Sequence, residues 1–279
     1  MSNLKEKIAL VTGASRGVGK GIALGLGEAG ATVYISARTV DGAKGPMDLP
    51  GTIQETAREV DNLGGRGIAV QCDHTDDKQT EKLFRRIDKE QGRIDILVNN
   101  IWGGYENMFE NNQFTWPLPF WQQPLWRWDA MFASGVRAHY VASTFAARSM
   151  VAKKRGLIVN VSFWAAQKLS GNVAYSVSKA TTDHMTKFMA QELKLHNVAA
   201  VSLYPGLVRT ESVMRAADFI DLSNSESPQF IGRAVAALAL DKNIMKRTGG
   251  VCVAASLARE FGFTDIDGRQ PRPLSLAEI

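Results

Sequence analysis

The chain has 279 residues, 45% hydrophobic and 22% charged, which is ordinary for a globular protein and long enough for one large α/β domain. A formal net charge of +5 hints at an anionic ligand such as a phosphate-bearing cofactor. It is too diffuse for nucleic acid, since no basic run exceeds Lys153-Lys154-Arg155. Cys72 and Cys252 lie far apart in strand-like surroundings and suggest neither a disulfide framework nor a metal site.

The first residues, MSNLKEKIALVTG, run straight into a strand without a signal-peptide pattern. No apolar run approaches the roughly 20 residues that span a bilayer, so no membrane span is expected and the cytoplasm is the expected location.

In chain order, 7–12 (KIALVT) reads as a buried strand, GASRGVG as a turn, and 20–29 as a helix closed by Gly30, followed by a second strand over 31–36. This is a βαβ unit. Gly13, Gly17 and Gly19 between first strand and first helix let backbone approach a pyrophosphate, whose charge rests on the helix N-terminus. Arg38 follows the second strand, and no Asp or Glu lies between Glu28 and Asp41. An acid there would hold ribose hydroxyls, whereas arginine suits a 2′-phosphate. With Arg16 in the glycine loop as a second guanidinium, NADP(H) is preferred over NAD(H).

Residues 39–51 form a Gly/Pro-rich loop, 52–63 a helix, and 67–73 a third strand ending at Asp73. That side chain either reaches an adenine amino group or caps the next helix, 76–91. A fourth strand, 93–100, ends in Asn99-Asn100, at the carboxyl edge where a doubly wound sheet binds ligands. Residues 101–128 then hold five of the six tryptophans and form an aromatic loop. It is either the wall of an apolar or aromatic substrate pocket or a packed loop or oligomer contact.

A long helix is expected over 126–152, then a fifth strand, 156–162, that delivers Ser162. Thirteen residues later comes Tyr175, and Lys179 follows at i+4, on the same helix face. An ammonium beside a phenol favours the phenolate and draws the tyrosine down from about 10, while Ser162 can hydrogen-bond a substrate oxygen. The helix continues to about His196, with a sixth strand over 198–205. Residues 211–227 read as a mobile lid, 230–240 as a helix, and 249–255 as the seventh and last strand. Neither repeat nor linker divides the chain. The expectation is α/β: a single doubly wound, Rossmann-type domain over 1–265, a seven-stranded parallel sheet with helices on both faces, and a tail over 266–279.

TGASRGVG, Asn99-Asn100, Ser162, YSVSK and YPGLVRT together resemble the short-chain dehydrogenase/reductase superfamily, over about 5–257. The AHY helix, the PGLV turn and Asp265-Ile266-Asp267-Gly268-Arg269 look most like its dehydrogenase/reductase member-one type. The resemblance implies Tyr175 as general acid/base, Lys179 as its helper and ribose ligand, and Ser162 as the group that positions the carbonyl. It implies Gly13, Ser15, Arg16, Gly17, Val18 and Gly19 as the phosphate cradle. Asp73 would contact adenine and Asn100 the adenosine side. Val208 and Thr210 would hold the nicotinamide carboxamide at the Pro205-Gly206 turn. No metal is implied. The expected reaction is NADP(H)-dependent interconversion of a carbonyl and an alcohol, in a homodimer or homotetramer.

Three positions depart from the pattern. NNIW replaces NNAG, SF replaces SS, and Gly135 stands where a fourth catalytic residue, an asparagine, is usual. A glycine keeps the main-chain carbonyl that would hold a relay water near Lys179. A non-catalytic or slow NADP(H)-binding protein is the alternative.

Overall fold

Ile8–Thr12 forms β1, and all five residues are buried, with Ala9 and Val11 packing on one face of the sheet and Ile8 and Leu10 on the other. A strand apolar on both sides belongs in the middle of a sheet covered twice. The computed structural model describes residues 3–110 and 113–278. The first two residues of the expected domain, Asn111 and Asn112 of the aromatic segment, and Ile279 of the tail lie outside the described residues.

After β1 come α1 (Gly17–Glu28), β2 (Thr32–Ala37), α2 (Ile53–Asn62), β3 (Arg66–Gln71), α3 (Asp77–Gln91) and β4 (Ile96–Asn99). A small antiparallel hairpin, β5 (Phe109–Glu110) and β6 (Gln113–Phe114), interrupts the alternation. The second half runs α4 (Leu125–Phe132), α5 (Ala138–Lys153), β7 (Gly156–Val161), α6 (Val173–Leu193), β8 (Val198–Tyr204), α7 (Glu211–Met214), α8 (Pro228–Leu240), β9 (Val251–Val253) and α9 (Ala254–Phe261).

The seven-stranded sheet is parallel throughout, in the order β3-β2-β1-β4-β7-β8-β9. The order reverses between β1 and β4, which opens a crevice beyond their carboxyl ends. One face is covered by α1, α2, α8 and α9, whose apolar residues, such as Ile22, Ile53, Phe230 and Leu257, form one core. The other carries α3, α5 and α6 through Leu83, Ala142, Met150 and Ala190. The expected fold class is therefore the observed one.

Several element boundaries differ from the sequence reading. The expected single helix over 126–152 is α4 and α5 joined by a π-turn, Ala133–Arg137, with Gly135 inside it. A turn of this type adds one residue to the helical ladder and bends its axis. The expected seventh strand ends at Val253, and Ala254 already starts α9. The segment beyond 265 also packs onto the domain. The Asn224 side chain donates to Arg272 O (3.0 Å) and accepts from Arg272 N (2.8 Å), and Pro271 is buried.

Candidate active site

A cavity of about 560 Å³ lies in the crevice at the carboxyl ends of β1, β4, β7 and β8. Ser15, Arg16, Gly17 and Val18 line one end with Arg38 and Asp73, and Ser162, Tyr175 and Lys179 line the other. Gly13, Asn100, Pro205, Gly206, Val208 and Thr210 run between them. Among the expected residues only Gly19 is absent from the lining. A Cβ on Gly19 would lie 2.2 Å from Gly13 O and 2.3 Å from Asn100 Nδ2, so this glycine lets α1 close against the loop that follows β1. Asn100 braces the loop from behind, its amide donating to Thr12 O (3.2 Å) and Gly13 O (3.1 Å).

Gly17 opens α1, and its amide N–H donates to both carboxylate oxygens of Glu211, at 2.9 and 3.2 Å. The helix start thus already holds an anion supplied by α7, which is what a phosphate would require of it. Arg16 is tied to the 39–51 loop by Nε to Pro50 O and by its terminal nitrogen to Gly51 O, both 2.9 Å. Its pKa is lowered by burial and by the charge of Arg38, with Glu211 opposing. Two guanidiniums that repel each other at the end of β2 form a site for a doubly charged anion. The described residues therefore fit a dinucleotide bearing a 2′-phosphate.

Asp73 lines the cavity, and its Oδ1 accepts from Thr75 N (2.9 Å) and Thr75 Oγ1 (2.7 Å). The alternative of capping α3 falls instead to Asp76, whose Oδ1 accepts from Lys78 N and Gln79 N.

At the other end, Asn172 begins α6 by accepting from Tyr175 N (3.0 Å), which points the first turn, and Tyr175 with it, into the crevice. Ser162 is 2% exposed, with Oγ 3.4 Å from Lys179 O. The Tyr175 ring packs among Trp102, Tyr105, Trp116 and Phe163, with centroids 5.4 to 6.3 Å away. Burial in this aromatic nest holds its hydroxyl well above the ordinary tyrosine value, and a hydrogen bond with Tyr105 pushes the same way. This is opposite to the direction expected from a neighbouring ammonium. Lys179 explains why: its Nζ stands 4.1 Å from the Trp102 ring centroid and 5.9 Å from that of Tyr175. Burial brings Lys179 down to about 8, with Asp183 opposing.

The aromatic segment is anchored rather than loose. Arg127 is fully buried, and its guanidinium donates to Thr115 O (3.2 Å), Thr115 Oγ1 (2.7 Å), Asn107 O (3.1 Å) and the Gln123 side chain. Further residues extend the lining: Trp102, Glu211 of α7 and Leu274 of the C-terminal segment. Only Trp102, as the departure in NNIW, left a sequence signal. The expected relay carbonyl, Gly135 O, accepts from Thr182 Oγ1 (3.2 Å).

Among the described residues no three His, Cys, Asp or Glu side chains group as a metal site, and no helix is long and apolar enough to cross a membrane. A doubly wound sheet with this crevice and this pairing of a glycine turn with a serine, tyrosine and lysine narrows the class to dehydrogenases of the short-chain kind. The family model described as short chain dehydrogenase matches residues 7–220, and the chain belongs to that family of oxidoreductases.

Among its relatives, it is 41% identical over 280 residues to "Dehydrogenase/reductase SDR family member 1" of Mus musculus, covering 95% of this chain and 85% of that one. A short-chain type dehydrogenase/reductase from Mycobacterium marinum superposes with a TM-score of 0.74 at 29% identity, over 90% of this chain and 94% of that one. A metagenomic short-chain oxidoreductase solved in complex with NADP gives 0.69 at 26% identity, over 90% and 96%.

Proposed function

We propose that the chain is an NADP(H)-dependent oxidoreductase that reduces an apolar or aromatic ketone or aldehyde to its alcohol, and runs in reverse when the alcohol is supplied. The carrying observation is that one cavity joins the Arg16 and Arg38 guanidiniums at one end to Ser162, Tyr175 and Lys179 at the other. The NADP complex of the metagenomic relative supports the cofactor reading.

In this reading Gly13, Ser15, Gly17 and Val18 hold the pyrophosphate, and Arg16 and Arg38 the 2′-phosphate. Asp73 takes the adenine amino group, Asn100 the adenosine side and Lys179 the nicotinamide ribose. Val208 and Thr210 hold the carboxamide at the Pro205-Gly206 turn. Bound NADPH supplies the hydride that the carbonyl carbon accepts.

The chain's own residues handle the oxygen. Ser162 Oγ donates a hydrogen bond to the carbonyl oxygen, which polarises it and fixes its distance from Tyr175. Tyr175 then gives its phenolic proton to that oxygen as the alcohol forms. A phenol that burial keeps protonated is set to donate, which supports reduction as the favoured direction. Lys179 bears the positive charge that steadies the phenolate left behind. The aromatic wall of Trp102, Tyr105 and Trp116 excludes water and suits an apolar substrate.

The test is NADPH oxidation against a panel of aldehydes, ketones and quinones, repeated with Tyr175→Phe. The variant is expected to lose about 10²- to 10⁴-fold in kcat while still binding NADPH; undiminished turnover would refute the mechanism. The second reading, a protein that binds NADP(H) without turning it over, draws on Trp102 rather than Tyr175 facing the Lys179 ammonium. It predicts tight NADPH binding and no turnover on any carbonyl.

Two copies would pair through α5 and α6, where Tyr140, Val177 and Phe188 are exposed, a pairing that sedimentation tests. The two buried free cysteines suit a reducing cytoplasm.

A further inference from the structure

Lys179 is 7% exposed, and among the described residues its ammonium makes one hydrogen bond, a long one of 3.4 Å to Val161 O. A buried ammonium with three donors and one weak acceptor needs another source of stabilisation. The Trp102 indole supplies it, with the ring centroid 4.1 Å from Nζ, well inside the range of cation–π attraction and on the most electron-rich aromatic face available. The same indole meets the Tyr175 ring edge to face, at 5.4 Å and 84°.

Three contacts hold the indole there. His139 binds Ile101 O through Nε2 at 3.0 Å, which requires the Nε2–H tautomer and pins the backbone next to Trp102. Gly103 packs so close to the π-turn that a Cβ would stand 2.8 Å from Ser134 Oγ. Behind the ring lies Gly135, where a Cβ would stand 2.5 Å from Trp102 Cζ3 and 2.7 Å from Cε3. No larger residue fits at 135 while the indole keeps its place.

We propose that Trp102 is the positioning residue for Lys179, seating its ammonium over the indole face beside Tyr175, and that Gly135 is the clearance this seat requires. NNIW and Gly135, two separate departures from the family pattern, are then one feature. The kinetic half of this inference rests on the carbonyl-reductase reading; the contact itself does not.

The groups that face the ammonium are few. Asp183, one turn further along α6, favours the charged form and is itself bound by the Tyr204 hydroxyl of β8. His139 of α5 is held neutral by burial, with a pKa near 3. Tyr175 of α6, linked to Tyr105, stays protonated. Removing the indole face while keeping the site dry therefore destabilises the ammonium.

The experiment follows the Lys179 side chain by NMR in the cofactor-free protein labelled at lysine, with the resonance assigned by Lys179→Met. Trp102→Leu is expected to lower the Lys179 titration midpoint by about one pH unit, the size of a desolvated cation–π contact, and Trp102→Phe to recover part of it. In turnover, Trp102→Leu should move the alkaline limb by the same unit, a loss of about fivefold in kcat at pH 8.

Gly135→Ala should displace the indole and shift the midpoint in the same direction. The double variant Gly135→Ala with Trp102→Leu removes the clash, folds, and titrates like Trp102→Leu alone. An unmoved midpoint in Trp102→Leu, or additive effects in the double variant, would overturn the inference. A wild-type protein inert toward every carbonyl, with the Lys179 midpoint still lowered by Trp102→Leu, would sink the reductase reading and uphold the seat.

Discussion

The two ends of the cavity are built by different means. At the glycine loop, the groups that would hold the cofactor are mostly backbone amides and two arginines within 13–38, delivered by β1, α1 and β2, with Asp73 added from beyond β3. At the other end, Trp102, Tyr105, Trp116, Tyr175 and Lys179 arrive from three separate segments and meet through side chains. The first end is a local conformation that the chain can specify by itself. The second exists only after the fold has formed, so its weak points are anchors distant from the chemistry.

Arg127 is the sharpest way to break that contrast. Arg127→Ala removes a buried guanidinium that serves four acceptors in the aromatic segment and is expected to cost about 3–5 kcal/mol by urea unfolding. It should raise carbonyl KM while leaving the NADPH Kd within about twofold. Equal damage to both would mean that the two ends are not independent.

Arg38→Asp attacks the other end. NADPH affinity is expected to fall about 100-fold and NADH to gain, with carbonyl KM unmoved at saturating cofactor, as read by fluorescence titration.

Acid comes next, and it acts on both ends. His74 is held near 4 and His139 near 3, both by burial, against about 6.5 unfolded. A depressed folded value gives stability that is complete above about pH 6.5 and is lost as pH falls toward 4. The slope approaches about 1.4 kcal/mol per histidine per pH unit, measurable by urea melts at pH 7.5, 6 and 5. His139→Gln should flatten it.

The smallest effect is at Glu211. Its carboxylate occupies the start of α1, so Glu211→Ala should tighten NADP+ binding about three- to tenfold while lowering stability by about 0.5–1 kcal/mol. Weaker binding in the variant would show that this carboxylate does not compete for that position.

The same contrast governs what the sequence made legible. The βαβ start was readable because glycine spacing and apolar runs act over a few residues, and Tyr175 and Lys179 because i and i+4 share a helix face. The packing of Gly19 against Gly13 and Asn100 was not legible, because spacing alone does not separate a glycine under a ligand from one under a neighbouring backbone. The π-turn at Gly135 was invisible, since apolar periodicity runs through it and its reason, the indole of Trp102, lies 33 positions earlier. The hairpin of β5 and β6, with two residues in each strand, is too short to pattern, and α9 begins directly where the last strand stops. Leu274 reaches the cavity from a stretch whose prolines and polar residues read as a tail.

Asn172 has a role beyond starting α6. Its Oδ1 receives the amide of Tyr175 while its Nδ2 gives a 3.3 Å hydrogen bond to Trp116 O, so a single amide joins the aromatic segment to the first turn of α6. In the proposed reductase, a change at position 172 therefore disturbs the aromatic segment and the aim of Tyr175 together.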